Sequence, residues 1–264
     1  MLRLGPGEFS PVTGQLTRLG PFALDGPGST SGAPDGQRPR RRLASDERAW
    51  RAGPAPAAAP VVSVEADAYS LLVRTRVAPP ALGFGMHATY LWTASGDRVR
   101  LELDVTPDGE WPCPLPRLGL RLAVPGSLDA VSWFGLGPGE AYADSRQAVR
   151  VGRFSSTVDG LQTPYVFPQE NGNRADARWL ELSDGVRRLR VEGSPVFDFA
   201  ARRWTSEDLD AATHTDELRA RDRVFLNLDL AQHGLGTASC GPGVLPQYRL
   251  PAGKASFALT FTAS

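Results

Sequence analysis

The side chains able to do imidazole or thiol chemistry are few: three histidines, His87, His214 and His233, and two cysteines, Cys113 and Cys240. None stands in a spacing that builds a site by itself. The sequence has no G-x-S-x-G nucleophile elbow, no phosphate-binding P-loop and no H-E-x-x-H zinc helix. His233, Ser239 and Cys240 share one Gly-rich segment, FLNLDLAQHGLGTASCGPG (225–243). A Cys-His nucleophile pair is one reading of it, but spacing along a loop fixes no geometry, and structural roles for such residues are commoner. In WFGLGPGEAYADSR (133–146), Gly135, Gly137 and Gly139 imitate a dinucleotide fingerprint. The third glycine comes too early, and Pro138 lacks the N–H that a phosphate would use. A Gly-Pro turn after a buried Trp133-Phe134 strand is the plainer reading. The segment TPYVFPQENGNR (163–174) closes on Gln169, Glu170, Asn171, Asn173 and Arg174. Amides, a carboxylate and a guanidinium beside an aromatic face suit the hydroxyls of a sugar. The same side chains equally suit bonding to the loops around Gly172, and both readings stand.

The elements that would carry these segments are strands. With 28 Gly and 23 Pro, few uninterrupted helical windows remain. β-rich runs recur at 61–65, 70–77, 87–93, 98–105, 119–124, 178–182, 187–192, 224–230 and 256–262. In Arg98–Val105, charged residues alternate with Val99, Leu101, Leu103 and Val105, as on a strand with one wet and one buried face. Many short strands with turns between them predict a sandwich or barrel. Thr205–Leu218 is the one good helix candidate, with Thr205 or Ser206 as cap, Glu207 and Asp208 in the first turn and Leu209 facing inward. Residues 26–60, rich in Gly, Pro, Ala, Ser and Arg, read as a long flexible surface loop. The Arg38–Arg42 cluster inside it reads as solvated. No repeat of fixed period is present, which argues against a propeller or solenoid.

Composition narrows the partners. The 29 Lys+Arg balance 29 Asp+Glu, so the basic footprint of nucleic-acid or anionic-membrane binding is missing. Two distant cysteines indicate neither a disulfide framework nor a zinc ribbon. There is no apolar run of about 18 residues and no signal-peptide pattern at the start. A cytoplasmic, unexported chain is expected, large enough to bury roughly three-quarters of its unfolded surface.

Taken together, PCPLPRLGL (112–120), WFGLGPGEAYADSR, TPYVFPQENGNR, the His214–Leu218 stretch and HGLGTASCGPG (233–243) resemble one family. The chain is similar to the C-terminal domain, or separate small chain, of the bacterial β-galactosidases of glycoside hydrolase family 2. The resemblance runs from an FSPVTGQLTRL hairpin at 9–19 to the final strand. It implies an all-β supersandwich of the galactose-mutarotase-like type, with one short helix. Residues 1–264 would form a single domain, shortened at its N-terminus relative to the family.

The resemblance also implies a division of labour. Retaining hydrolysis of a terminal β-D-galactoside such as lactose needs two carboxyl groups about 5–5.5 Å apart. In this family both are glutamates of a TIM barrel. Glu140 and Glu170 are therefore expected to be structural or pocket-supporting, together with Asn171 and Arg174. No catalytic residue and no metal ligand is assigned to this chain. By resemblance, the substrate pocket receives Ser239, Cys240, Gly241, His233 and Asp35. Cys240 stands where some relatives place a tryptophan. The segment Gly32–Gln37 keeps Ala33, Pro34 and Asp35 of a family loop at the pocket mouth but lacks its Asn-Asp pair, which implies an altered lid. Mg and Na in the complete enzyme would be bound mainly outside this region. The expected partners are the catalytic barrel chain and the galactoside, with homo-oligomer formation left open and no activity for this chain alone. The rival functions are a stand-alone carbohydrate-binding module and an aldose mutarotase, the latter without matching motifs around its histidines.

Overall fold

The structure is a computed structural model and describes residues 1–24, 61–78, 83–236 and 243–264. Among the described residues it has fifteen strands. They are β1 (Leu2–Leu4), β2 (Gly7–Phe9), β3 (Leu16–Leu19), β4 (Phe22–Ala23), β5 (Val61–Ala66), β6 (Ser70–Val77), β7 (Gly85–Ser95) and β8 (Arg98–Asp108), followed by β9 (Arg117–Pro125), β10 (Ala130–Gly137), β11 (Arg150–Thr157), β12 (Arg174–Ser183), β13 (Arg188–Arg202), β14 (Arg223–Gln232) and β15 (Ala255–Ala263). One α-helix, α1, spans Ser206–Ala211. Among the described residues, the structure shows the expected all-β class with one short helix.

The large sheet runs β11-β10-β12-β13-β15-β8-β7-β6-β5, and β14 branches from β13 to pair with β9. The branch follows from the length of β13. Its first half, Leu189–Ser194, pairs with β15, and its second half, Asp198–Arg202, pairs with β14. The partner changes around Pro195, which has no N–H to continue a ladder. The two branches close on one contiguous core. Leu118, Leu120 and Val124 from β9 and Leu226 and Leu228 from β14 join Val99, Leu101, Leu103, Phe257, Leu259 and Phe261 from β8 and β15. The alternation read in Arg98–Val105 is reproduced, with Val99, Leu101, Leu103 and Val105 buried.

The N-terminal hairpin expected at 9–19 is present as β2–β3 within a four-stranded meander. It docks on the large sheet through Phe9, whose ring meets Trp92 edge-on at 5.2 Å.

The short helix expected within Thr205–Leu218 spans Ser206–Ala211. Thr205 caps it in a full capping box with Asp208, as its first turn required, and Leu209 is buried. Beyond it, Glu217 accepts the backbone N–H of Thr213 at 2.7 Å and its hydroxyl at 2.9 Å, which closes a separate 3-10 turn at Thr215–Glu217. Strand β11 was not read from sequence. It is an edge strand with both faces largely wet, so it lacks the alternation that marks β8. The expected flexible loop at 26–60 lies outside the described residues.

Candidate functional site

One end of the sheet carries a buried polar cluster, assembled from the motifs singled out in sequence. The register of β13, β14 and β9 explains why it forms. Asp198 pairs with Asp229, Ala200 with Asn227, and Asp229 with Gly119, so their side chains share one face. Phe199, Leu226 and Leu228 turn the other way into the core. The polar face is then covered by the 163–173 segment.

Glu170 sits at the centre of that cover. Its Oε1 accepts a charge-assisted hydrogen bond from Arg202 Nη2 and another from the Tyr142 hydroxyl at 3.4 Å. Its Oε2 lies 3.5 Å from Arg117 Nη2. Arg117 in turn places Nε 3.4 Å from Asp229 Oδ2. Arg202 donates from Nε and Nη2 to the Asn171 carbonyl at 3.1 and 2.7 Å. The Asn227 amide, turned with its oxygen toward both guanidinium groups, accepts from Arg202 Nη1 at 3.2 Å and Arg117 Nη1 at 2.5 Å. All of these side chains are buried. Such a network is costly to desolvate, and the pairing of its opposite charges offsets that cost. Burial raises the Tyr142 hydroxyl well above its ordinary pKa, and the neighbouring Glu170 charge adds to that, so Tyr142 stays a protonated donor.

Glu140 holds the other end of the same segment. Its Oε2 accepts from the Thr163 hydroxyl at 3.0 Å and from the Gly172 N–H at 2.9 Å, and its Oε1 accepts from the Tyr165 hydroxyl. Burial, then the bond to Glu140, pushes Tyr165 up to about 12. Asn171 donates from Nδ2 to the Gln169 carbonyl at 2.9 Å and accepts the Thr163 N–H at 3.3 Å. Arg174 donates to the carbonyls of Pro138 and Gly172, each at 2.9 Å, and its guanidinium lies 5.5 Å from the Trp133 ring centre. Of the two readings of TPYVFPQENGNR, bonding to adjoining loops describes these side chains.

The two remaining motifs meet at Asp144. It stands in a turn closed by reciprocal Tyr142 and Ser145 backbone bonds, and its carboxylate accepts the N–H groups of Leu235 at 3.1 Å and Gly236 at 2.7 Å. The approach is so close that a Cβ on Gly234 would lie 2.6 Å from Asp144 Oδ2 and 3.0 Å from Val244 Cγ1. His233 is half-buried, and its Nδ1 accepts the Leu250 N–H at 3.1 Å. The chain just before 237–242 is thus held by the Asp144 carboxylate. Ser239, Cys240, Gly241 and Asp35 lie outside the described residues.

The sequence singled out Glu140, Glu170, Asn171, Arg174 and His233, and the structure brings the first four into one connected region. It did not single out Arg117, Tyr142, Asp144, Asp198, Arg202, Asn227 or Asp229. Asn227 and Asp229 alternate with leucines, which reads the same whether the polar face meets water or a covering loop. Among the described residues, no group of three or more His, Cys, Asp or Glu side chains is placed to hold a metal ion. No helix among them is long and apolar enough to cross a membrane.

Comparison with known proteins bears on this arrangement. A β-galactosidase of an Arthrobacter species is 38% identical over 196 residues, covering 72% of this chain and 19% of its own length. The Vibrio cholerae β-galactosidase is 46% identical over 154 residues, 58% of this chain and 14% of its own. That of Kluyveromyces lactis is 32% identical over 183 residues, 68% and 18% respectively. The matched region is thus about a fifth or less of these curated relatives. Among solved structures, a galactose mutarotase-like protein of Lactobacillus casei overlaps with a TM-score of 0.43 at 13% identity, covering 76% of this chain and 72% of the other. The family described as beta galactosidase small chain matches residues 38–262, a span that takes in the motif segments from PCPLPRLGL to HGLGTASCGPG, and the chain belongs to that family.

Proposed function

We propose that this chain is the small-chain component of a β-galactosidase and that it completes the active-site mouth of a catalytic TIM-barrel chain. The observation that carries the reading is Asp144. It ties two family motifs together and fixes the residues just before the Ser239–Gly241 segment, which the resemblance assigns to the sugar pocket. In this reading residues 1–264 act as one domain. Ser239, Cys240, Gly241, His233 and Asp35 face the galactoside, while Glu140, Glu170, Asn171 and Arg174 support them from behind. The hydrolytic carboxylates come from the barrel, because Glu140 and Glu170 already spend their oxygens on internal donors. The chain supplies no metal ligand or cofactor, works in the cytoplasm and has no hydrolytic activity alone.

The test is hydrolysis of a chromogenic β-galactoside by the purified chain, and then by the chain mixed with a related catalytic chain lacking its own C-terminal domain. Activity in the mixture only is the expected result. Activity of the chain alone overturns the division of labour. An inactive mixture, with saturable galactose binding by the chain alone, replaces it with a carbohydrate-binding module.

A further inference from the structure

Asp198 on β13 and Asp229 on β14 are register partners, and they are only 7% and 1% exposed. Side chains directly opposed on one sheet face stand about 4.5–5.5 Å apart at Cβ. Two carboxyl groups therefore share a small dry space. Their neighbours come from every element packed there. From β9, Arg117 approaches Asp229, and Gly119 leaves room for it. From the covering segment comes Glu170, paired with Arg202 of β13. From β12 comes Asp176, whose backbone N–H donates to Asp198 Oδ1 at 3.1 Å and whose carboxylate pairs with Arg146 at 2.7 Å.

Each guanidinium in this set is paired with a carboxylate other than Asp198. Among the described residues, no cation lies within ion-pair distance of Asp198. Asp176, Asp198, Asp229 and Glu170 thus face Arg117, Arg146 and Arg202. Fully ionised, the set has one negative charge too many for a buried place. We propose that Asp198 and Asp229 form a proton-holding acid pair, with the proton on Asp198, whose release weakens the β13–β14 ladder beneath the motif segments. Burial pushes Asp198 up to about 7, with repulsion from Asp229 adding to it and the Asp176 N–H opposing it. Burial also pushes Asp229 up to about 6, against the pull of Arg117.

The sign follows. An acid whose pKa is raised on folding binds its proton more tightly in the folded state. Its contribution is neutral below about pH 4, where the unfolded carboxyl is protonated too, and turns unfavourable as pH rises toward 7. The same ladder presents Arg202 and Asn227 to the 163–173 segment, so proton release would be felt at the motifs. The inference does not depend on the proposed function.

The experiment is a pH titration of the aspartate carboxyl carbons by NMR in the full chain, for the wild type and Asp198→Asn. An aspartate signal with a midpoint near 7 is expected in the wild type and should vanish in the variant. At pH 8, the amides of β13 and β14 should exchange more slowly in Asp198→Asn than in the wild type. If every wild-type aspartate titrates below about pH 5, within the ordinary range, the proposal is overturned. It is overturned equally if the high midpoint survives in Asp198→Asn. Should that variant fail to fold, Asp229→Asn serves instead: the high midpoint must fall toward the acid side once the opposing charge is gone, and an unmoved midpoint overturns the pair.

Discussion

Gly119 on β9 is the register partner of Asp229 on β14, and a Cβ at that glycine would lie 2.2 Å from Asp229 Oδ1. The missing side chain is what lets a buried carboxyl stand between two sheet strands and reach Arg117. Gly119→Ala must displace either the carboxyl or the β9 backbone. Overpacking of this kind costs about 1–3 kcal/mol. Urea unfolding should show that loss, and a variant as stable as the wild type would mean that the β9–β14 junction is looser than described.

Glu170 joins Arg202, Arg117 and Tyr142 in one buried network. Glu170→Ala removes the carboxylate that Arg202 and Arg117 share, while Arg117 keeps Asp229, and breaking a buried pair in this way costs about 3–5 kcal/mol. Glu170→Gln keeps an acceptor for Tyr142 and fills the space, so its loss of stability should be smaller. Equal losses for the two variants would assign the role of Glu170 to its charge alone, since Gln preserves both the volume and an acceptor.

Asp144 acts locally. Removing a charged acceptor from two backbone N–H groups costs about 1.5–3 kcal/mol per hydrogen bond. Asp144→Ala should therefore speed amide exchange at Leu235 and Gly236 by at least about tenfold, since about 1.4 kcal/mol is a factor of ten. Exchange in β8 and β15, far along the sheet, should hardly change. Uniformly faster exchange would instead indicate global destabilisation.

Acid should also weaken the fold, through different groups. The backbone N–H of Arg187, then its guanidinium and the Val186 N–H, hold Asp184 down to about 2. Bonds from Thr213 and His214 hold Glu217 down to about 2. Both carboxylates are depressed on folding, so their contribution is present above about pH 4, the unfolded range, and is lost as pH falls toward 2. With the raised pair at Asp198 and Asp229 acting in the opposite sense, stability should peak on the acid side of neutrality. Thermal unfolding from pH 2 to 9 measures this, and Asp184→Asn should flatten the acid limb alone.

Some of this architecture was legible one residue at a time. Arg98–Val105 declared its buried face because water lies on one side of β8 and core on the other. Thr205, Asp208 and Leu209 declared a helix start, because capping depends on near neighbours in sequence. The motif segments were legible as a family signature. Their internal logic was not, since Glu170 finds Arg202 across 32 residues and Asp144 finds Gly236 across 92.

The sequence by itself determined the all-β class, the strand-rich order and the family, because periodicity, turn residues and long motifs are local properties of the chain. Only the tertiary structure decided which polar residues are buried. The partner switch along β13 brings β14 and β9 against the covering segment, which turns Asn227 and Asp229 from a face that reads as wet into the floor of an ion network. Whether a polar side chain meets water or an arginine depends on what folds over it.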